Sequence, residues 1–285
     1  MNILVTGASG FIGKNVVSNL LKLQSLNITV SSSNIKNLEE LYSENKITII
    51  PFDIYTNDYE EIDLFSYFGK PDKLIHLAWR GLPNYGHPFH VTENLPKEYE
   101  FISNLVKGGL KDITIAGTCF EYGMQTGELH EEMTTNPLNY YSLAKDTLRK
   151  MLEILKVNMH FNLKWVRLFY MYGEGQNPNS IIAQLDKALC EDTVEFNMSG
   201  GMQVRDYMHV SKVAENLVNI CLQNEIDGTI NNCSGIPVKL LDLVNKYLID
   251  RKKSIKLNLG YYPYSIYEPM EFWGNREKLN RILKK

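Results

Sequence analysis

Cysteine is scarce. The chain has four in 285 residues, Cys119, Cys190, Cys221 and Cys233, with no CxxC pair and spacings too wide for a zinc cluster or a small disulfide scaffold. Reduced thiols in a cytoplasmic protein are the expectation. An excess of one charge is also missing. Thirty Lys and Arg stand against 33 Asp and Glu, a formal net charge of −3, so no broad basic field draws in nucleic acid or an anionic membrane, and neither is expected as a partner. An anionic ligand must therefore be held locally. No apolar run approaches the roughly eighteen residues of a membrane span. The N-terminal run Ile3–Val5 breaks at Gly7, without the basic start and long apolar core of a signal peptide. A Pro/Ser-rich linker, an internal repeat and a low-complexity stretch are likewise absent. What remains is 44% apolar and 22% charged, the composition of an ordinary globular protein with room for a sizeable core.

The first half alternates short β-branched runs with helical patterns, the signature of a parallel sheet wound with crossover helices. Strands are predicted over 2–6, 27–32, 47–51, 73–77 and 112–116, and helices over 11–22, 37–43, 58–68 and 92–107. A helix over 139–156 and a strand over 162–169 continue the pattern. After Gly175, helices over 180–190, 210–222 and 240–248 mix with short pieces such as 229–233. The chain thus reads as α/β, with residues 1–170 as the main domain and 171–285 as a smaller interleaved cap. The two are expected to pack tightly and share one cleft.

Directly after the first strand comes Thr6-Gly7-Ala8-Ser9-Gly10-Phe11-Ile12-Gly13, opening the first helix. Gly7 permits a sharp turn, Gly10 lets backbone N–H groups approach a pyrophosphate, and Gly13 lets helix and strand pack closely. A structural turn has the same composition. The position between first strand and first helix of an alternating chain favours a dinucleotide-binding domain. The second strand ends in Ser31-Ser32-Ser33-Asn34-Ile35-Lys36, with no Asp or Glu to accept hydrogen bonds from a ribose diol. Three hydroxyls and Lys36 suit a 2′-phosphate better, so NADP is expected, with NAD as the alternative; a solvated serine turn would look alike. Asp53, after the third strand, is placed to meet an adenine amino group or to cap a turn.

Tyr141 and Lys145 are four apart on a predicted helix and share one face. A phenol with a pKa of about 10 exchanges protons near neutrality only beside a stabilising cation, which Lys145 could supply. Thr118 lies just past the end of the fifth strand, where α/β sheets bind ligands, and its hydroxyl could hold an oxygen that changes between carbonyl and alcohol. Its alternative is a hydrogen bond to its own backbone. The loop from Trp79 to His90, including Tyr85 and His87, is rich in stacking and hydrogen-bonding groups and is taken as sugar-facing, and Asn177 and Gln184 are further candidates.

Together, Gly7-x-x-Gly10-x-x-Gly13, His76-Leu77-Ala78, Thr118 to Tyr122-Gly123, Tyr141 with Lys145, Arg167 to Gly173 and Arg205-Asp206-Tyr207-Met208-His209-Val210 resemble the extended short-chain dehydrogenase/reductases of the NAD-dependent epimerase/dehydratase type. That resemblance implies a doubly wound Rossmann domain and a C-terminal part clasping a nucleoside diphosphate sugar. It implies that Thr118, Tyr141 and Lys145 form a catalytic trio, with Lys145 also touching the nicotinamide ribose. Ser9, Phe11, Ile12, Ile54, Leu77 and Ala78 would then lie along the dinucleotide, and Arg205 would meet the substrate diphosphate. A homodimer through the helices near Thr92 and Asn139 is implied as well, and no metal.

Departures from the family pattern narrow the expectation. The dehydratases of the family place Asp and Glu after the catalytic Thr; here Cys119 and Phe120 stand there, and a phenyl ring does no acid-base work. Tyr170 replaces the Asn usual in epimerases and dehydratases. An NADPH-dependent reductase of a nucleotide-activated 4-keto-6-deoxy sugar is therefore expected, in deoxysugar formation for surface polysaccharide. The rivals are an NAD-dependent 4-epimerase and a non-catalytic NADP-binding redox sensor.

Overall fold

The computed structural model describes every residue except 44–46, 57, 60, 267 and 285. Strand β1 (Asn2–Thr6) leads into helix α1 (Phe11–Leu21), β2 (Asn27–Ser31) into α2 (Ile35–Tyr42), and β3 (Thr48–Ile49) into the single turn α3 (Leu64–Tyr67). Strand β4 (Lys73–His76) runs through a long loop and a π turn at His90–Asn94 into α4 (Leu95–Gly108). Strand β5 (Asp112–Thr118) ends in a 3-10 turn at Cys119–Tyr122, followed by β6 (Gly127–Leu129), α5 (Tyr140–Met159), β7 (Asn162–Leu168) and β8 (Tyr170–Tyr172). Then come α6 (Ile181–Cys190), β9 (Glu195–Asn197), β10 (Val204–His209), α7 (Val210–Leu222), β11 (Gly228–Asn232), β12 (Pro237–Lys239), α8 (Leu240–Asp250), β13 (Lys256–Asn258), β14 (Phe272–Gly274) and α9 (Glu277–Leu283).

Seven strands form one parallel sheet in the order β11-β7-β5-β4-β1-β2-β3. Parallel strands are buried on both faces, which is why Ile3-Leu4-Val5 reads as an unbroken apolar run instead of alternating. On one face, Val16, Val17 and Leu20 of α1 pack with Val213, Leu217 and Ile220 of α7. On the other, Phe101, Ile102 and Leu105 of α4 pack with Leu148 and Leu152 of α5 and Trp165 of β7. Strand order reverses between β1 and β4, so a crevice opens at their carboxyl ends, the place where doubly wound sheets take ligands. The cap carries the three-stranded sheet β12-β10-β8, the pair β13-β9, and a separate core of Ile182, Leu185, Phe196, Val244 and Leu248.

Two expectations are revised. Residues 171–285 do not all lie in the cap: β11 pairs with β7 as the last strand of the large sheet, and α7 packs on α1. The interleaving is thus deeper than a cut at 170 allows, because α7 supplies apolar side chains that the face beside α1 needs. The helix expected over 58–68 shrinks to α3, where Asp63 accepts from the Ser66 N–H at 3.1 Å and starts the turn. Before it, the Asn104 side chain donates to the carbonyls of Tyr59 and Ile62, so the chain there satisfies its polar groups against α4.

Candidate active site

Backbone shape dominates at the crevice. Gly7 has φ +68°, and a Cβ there would stand 2.7 Å from the Ala78 nitrogen; one on Gly13 would stand 2.2 Å from the Gly7 carbonyl oxygen. The turn is therefore closed to side chains, and α1 starts flush against it at Gly10 without a side-chain cap, its first N–H groups open to an anion. Gly7, Gly10, Phe11, Ile12 and Gly13 line a cavity of about 470 Å³. Ser9, Ser31, Ser32, Asp53, Ile54, Leu77 and Ala78 line an adjoining cavity of about 260 Å³, together with Ser33 and Arg80. Ser9 and Ser32 share a 2.8 Å hydroxyl hydrogen bond, and Asp53 accepts from the Tyr55 N–H at 2.9 Å. These contours fit a dinucleotide with its pyrophosphate at α1. Lys36 does not join them. Its side chain is 86% exposed and reaches along α2 to Glu40 at 3.9 Å, so the expected cation at the ribose is absent from that wall.

The 470 Å³ cavity continues to Thr118 and Tyr141. Thr118 closes β5 and caps the next turn: its hydroxyl accepts from the Phe120 N–H at 3.3 Å while its own N–H donates to Glu121 at 2.9 Å. It lines the cavity together with Tyr141, whose pKa it draws down. Asn139 starts α5 by accepting from the Ser142 N–H at 2.9 Å, which sets Tyr141 and Lys145 inward on one face, 8% and 2% exposed. Burial pushes the Tyr141 phenol well above its ordinary range, against the lowering influence of Thr118, so it holds its proton. Burial brings Lys145 down to about 8, opposed by the buried carboxylates of Glu98 and Glu121. The ammonium rests 3.9 Å over the Trp79 ring.

Glu121 is engaged in holding the fold. It accepts from Trp165 at 2.9 Å and from Arg167 Nε at 2.8 Å in a fully buried pair, and so fixes the turn that presents Thr118. No Asp, Glu, His or Lys lines the 470 Å³ cavity among the described residues.

On the far side, Tyr85, Tyr170 and Asn177 line the same cavity. Tyr85 packs on Tyr141 at 5.5 Å and its carbonyl accepts from the Tyr141 N–H at 3.0 Å. Phe120 lies between Tyr85 and Tyr170, with centroids 5.4 and 6.1 Å away. His87 is not brought in. It is exposed, and its ring is engaged with Phe89, whose N–H it accepts at 3.2 Å. His90, three residues on, is the buried histidine beside Tyr141, 5.5 Å between centroids. Arg205 borders a cavity of about 280 Å³ with Tyr170, Tyr207 and Gln176, but its guanidinium donates to Glu268 at 3.0 Å and to the carbonyls of Val204 and Met270. Tyr170 donates to the same Glu268 carboxylate. Gln184 turns back on its own helix start, donating to the Asn179 carbonyl at 3.0 Å. A further cavity of about 710 Å³, walled by Cys119, Phe120, Leu129 and Phe272, adjoins the reacting corner.

Sequence reading missed Trp79 and His90 as partners of the Tyr–Lys pair, and Glu268 as the partner of Arg205. The first two stood in the loop marked as sugar-facing; nothing in the order of residues links 268 to 205.

The chain is 30% identical over 282 residues to dTDP-6-deoxy-L-talose 4-dehydrogenase (NAD(+)) of Aggregatibacter actinomycetemcomitans, covering 96% of this chain and 99% of that one. It is 26% identical over 299 residues to an uncharacterised UDP-glucose epimerase of Bacillus subtilis (strain 168), covering 99% and 92%. Among solved structures, UDP-glucuronic acid 4-epimerase from Bacillus cereus in complex with NAD superposes with a TM-score of 0.84 at 24% identity, covering 100% of this chain and 91% of that one. No helix among the described residues is long and apolar enough to cross a membrane. The model of the NAD dependent epimerase/dehydratase family matches residues 3–233, so this chain belongs to that family of nucleotide-sugar-modifying enzymes.

Proposed function

We propose that the protein interconverts a ketone and an alcohol at C4 of a nucleoside diphosphate-linked 6-deoxy sugar, acting as a 4-keto reductase with NADPH. The observation that carries this reading is the composition of the reacting corner. A buried phenol and a threonine hydroxyl line one cavity with the glycine loop, and among the described residues no carboxylate or imidazole lines it. Such a corner moves one proton to or from an oxygen; it has no second acid or base with which to expel water. When bound, the dinucleotide supplies the hydride. Tyr141, held protonated by burial, donates its proton to the alkoxide that develops, and Thr118 steadies that oxygen. Lys145 would carry the positive charge that stabilises the phenolate left behind, and with the dinucleotide bound it would be the cation offered to the nicotinamide ribose. Glycine loop and α1 hold the pyrophosphate, and Phe120, Tyr85 and Tyr170 exclude water from one side. The apolar wall of Cys119, Phe120, Leu129 and Phe272 suits a methyl at C6 better than a carboxylate or hydroxymethyl group.

The 2′-phosphate reading stands on the three serines and the missing acid after β2, now without Lys36. Arg80, which lines the same cavity, is the nearer cation. A 4-epimerase is the second reading, favoured by the epimerases among the relatives of similar length. One experiment separates them. The purified full-length protein is given nucleoside diphosphate 4-keto-6-deoxy sugars with NADPH or NADH, and in parallel the parent sugar nucleotides with no added dinucleotide. Stoichiometric NADPH oxidation with a 4-hydroxy product supports the reductase. Interconversion of C4 epimers by protein that retains dinucleotide supports the epimerase, and preference for NADH overturns the NADP assignment.

A further inference from the structure

Among the described residues the Lys145 ammonium has no carboxylate within ion-pair distance, although Lys145 is buried; it lies 3.9 Å from the centroid of the Trp79 ring. The geometry points to Trp79 as the positioning residue for this ammonium, with His90 holding the indole in place. The inference rests on the catalytic reading of Tyr141 and Lys145.

Each link is a contact in the structure. Trp79 Nε1 donates to His90 Nδ1 at 3.0 Å. The other ring nitrogen, Nε2, lies 3.0 Å from the Asn84 carbonyl, which only accepts, so Nε2 carries the proton and Nδ1 is free to accept from the indole. The imidazole is therefore neutral and of fixed tautomer, as its complete burial also favours. His90 opens the π turn that precedes α4, a local widening that brings its ring under Trp79 and against Tyr141. Trp79 itself meets Tyr141 edge-on at 5.8 Å. The loop thus holds both members of the pair: the indole takes the ammonium, and the Tyr85 carbonyl takes the Tyr141 N–H.

Why an indole and not a carboxylate? A carboxylate in contact would bind the ammonium firmly and raise its proton affinity, holding it away from ribose hydroxyls and phenol. A ring quadrupole stabilises the charge yet leaves all three N–H donors free. The charged groups that face Lys145 from neighbouring elements are Glu98 on α4 and Glu121 in the 3-10 turn, with Tyr141 on its own helix and neutral His90 behind the indole.

Mono- and difluorotryptophan installed at position 79 of the full chain keep the shape and the N–H but weaken the ring quadrupole stepwise. The readout is the titration of Lys145, followed by NMR of Cε-labelled lysine and assigned with Lys145→Met. The expected result is a stepwise fall in the Lys145 pKa, reaching about one unit, because the charged form loses its support. Trp79→Leu lowers it as well, and the alkaline limb of kcat moves down with it while KM for the sugar nucleotide stays within about twofold. An unchanged Lys145 titration across the fluorinated series overturns the proposal, as does a loss of kcat by one factor at every pH. If the parent turns over no keto sugar and the resonance still shifts, the positioning inference stands and the reading of the reaction fails.

Discussion

The two ends of the cleft are made of different material. At the dinucleotide end, backbone does the shaping: a turn that excludes side chains at Gly7 and Gly13, an open helix start, and a row of serine hydroxyls within one short stretch of chain. At the sugar end, side chains from β5, α5, β8, β10 and the segment before β14 converge, and Tyr170 and Arg205 are fixed by Glu268, far away in sequence. Arginine pairs show the same contrast. Arg167–Glu121 is sealed, 1% and 0% exposed, and holds a turn; Arg205–Glu268 borders a cavity, with Glu268 28% exposed. A backbone site tolerates little variation, while a side-chain site can change ligand through a few substitutions.

Substitutions at each end test that contrast. Tyr141→Phe keeps the ring and removes the proton donor, and keto sugar reduction should fall by roughly a hundred- to ten-thousandfold with dinucleotide binding intact. Parent-like turnover would remove the sugar end from the chemistry altogether. Glu121→Ala strands a buried guanidinium and should cost about 3–5 kcal/mol, seen as a lower midpoint in urea unfolding. Glu268→Ala, which removes a partly exposed carboxylate from a buried Arg205, should lower that midpoint less than Glu121→Ala does and change KM for the sugar nucleotide as well. Equal loss of stability in both would erase the distinction between the pairs. Ser32→Asp introduces the missing carboxylate and should turn preference from NADPH toward NADH by about tenfold or more, measured as a ratio of kcat/KM. Lys36→Ala should alter neither cofactor ratio nor stability measurably, since an exposed i,i+4 pair is worth at most about 0.5 kcal/mol.

Legibility followed the same division. Strand β1 and helix α7 stand where periodicity put them, and the glycine loop, the serine row, Thr118, Tyr141 and Lys145 all line the crevice or sit beside it. Lys36 and His87 failed for a common reason. Closeness in sequence to a ligand-facing stretch says nothing about side-chain direction: Lys36 follows its helix to Glu40, and His87 turns onto Phe89. The reach of β11 into the large sheet was hidden too, because a buried run such as Thr229–Asn232 reads alike in either sheet.

Composition and order alone determined that this chain is a wound α/β protein, where its phosphate-binding turn lies, and which tyrosine and lysine share a helical face, since all of these follow from local steric rules acting over a few residues. Tertiary structure alone decided what stands opposite them: the indole under Lys145, the glutamate against Arg205, the apolar wall behind Phe120. Those contacts join residues far apart in the chain, Phe120 and Phe272 among them, or are set by loop direction, and only close packing of the whole chain selects them.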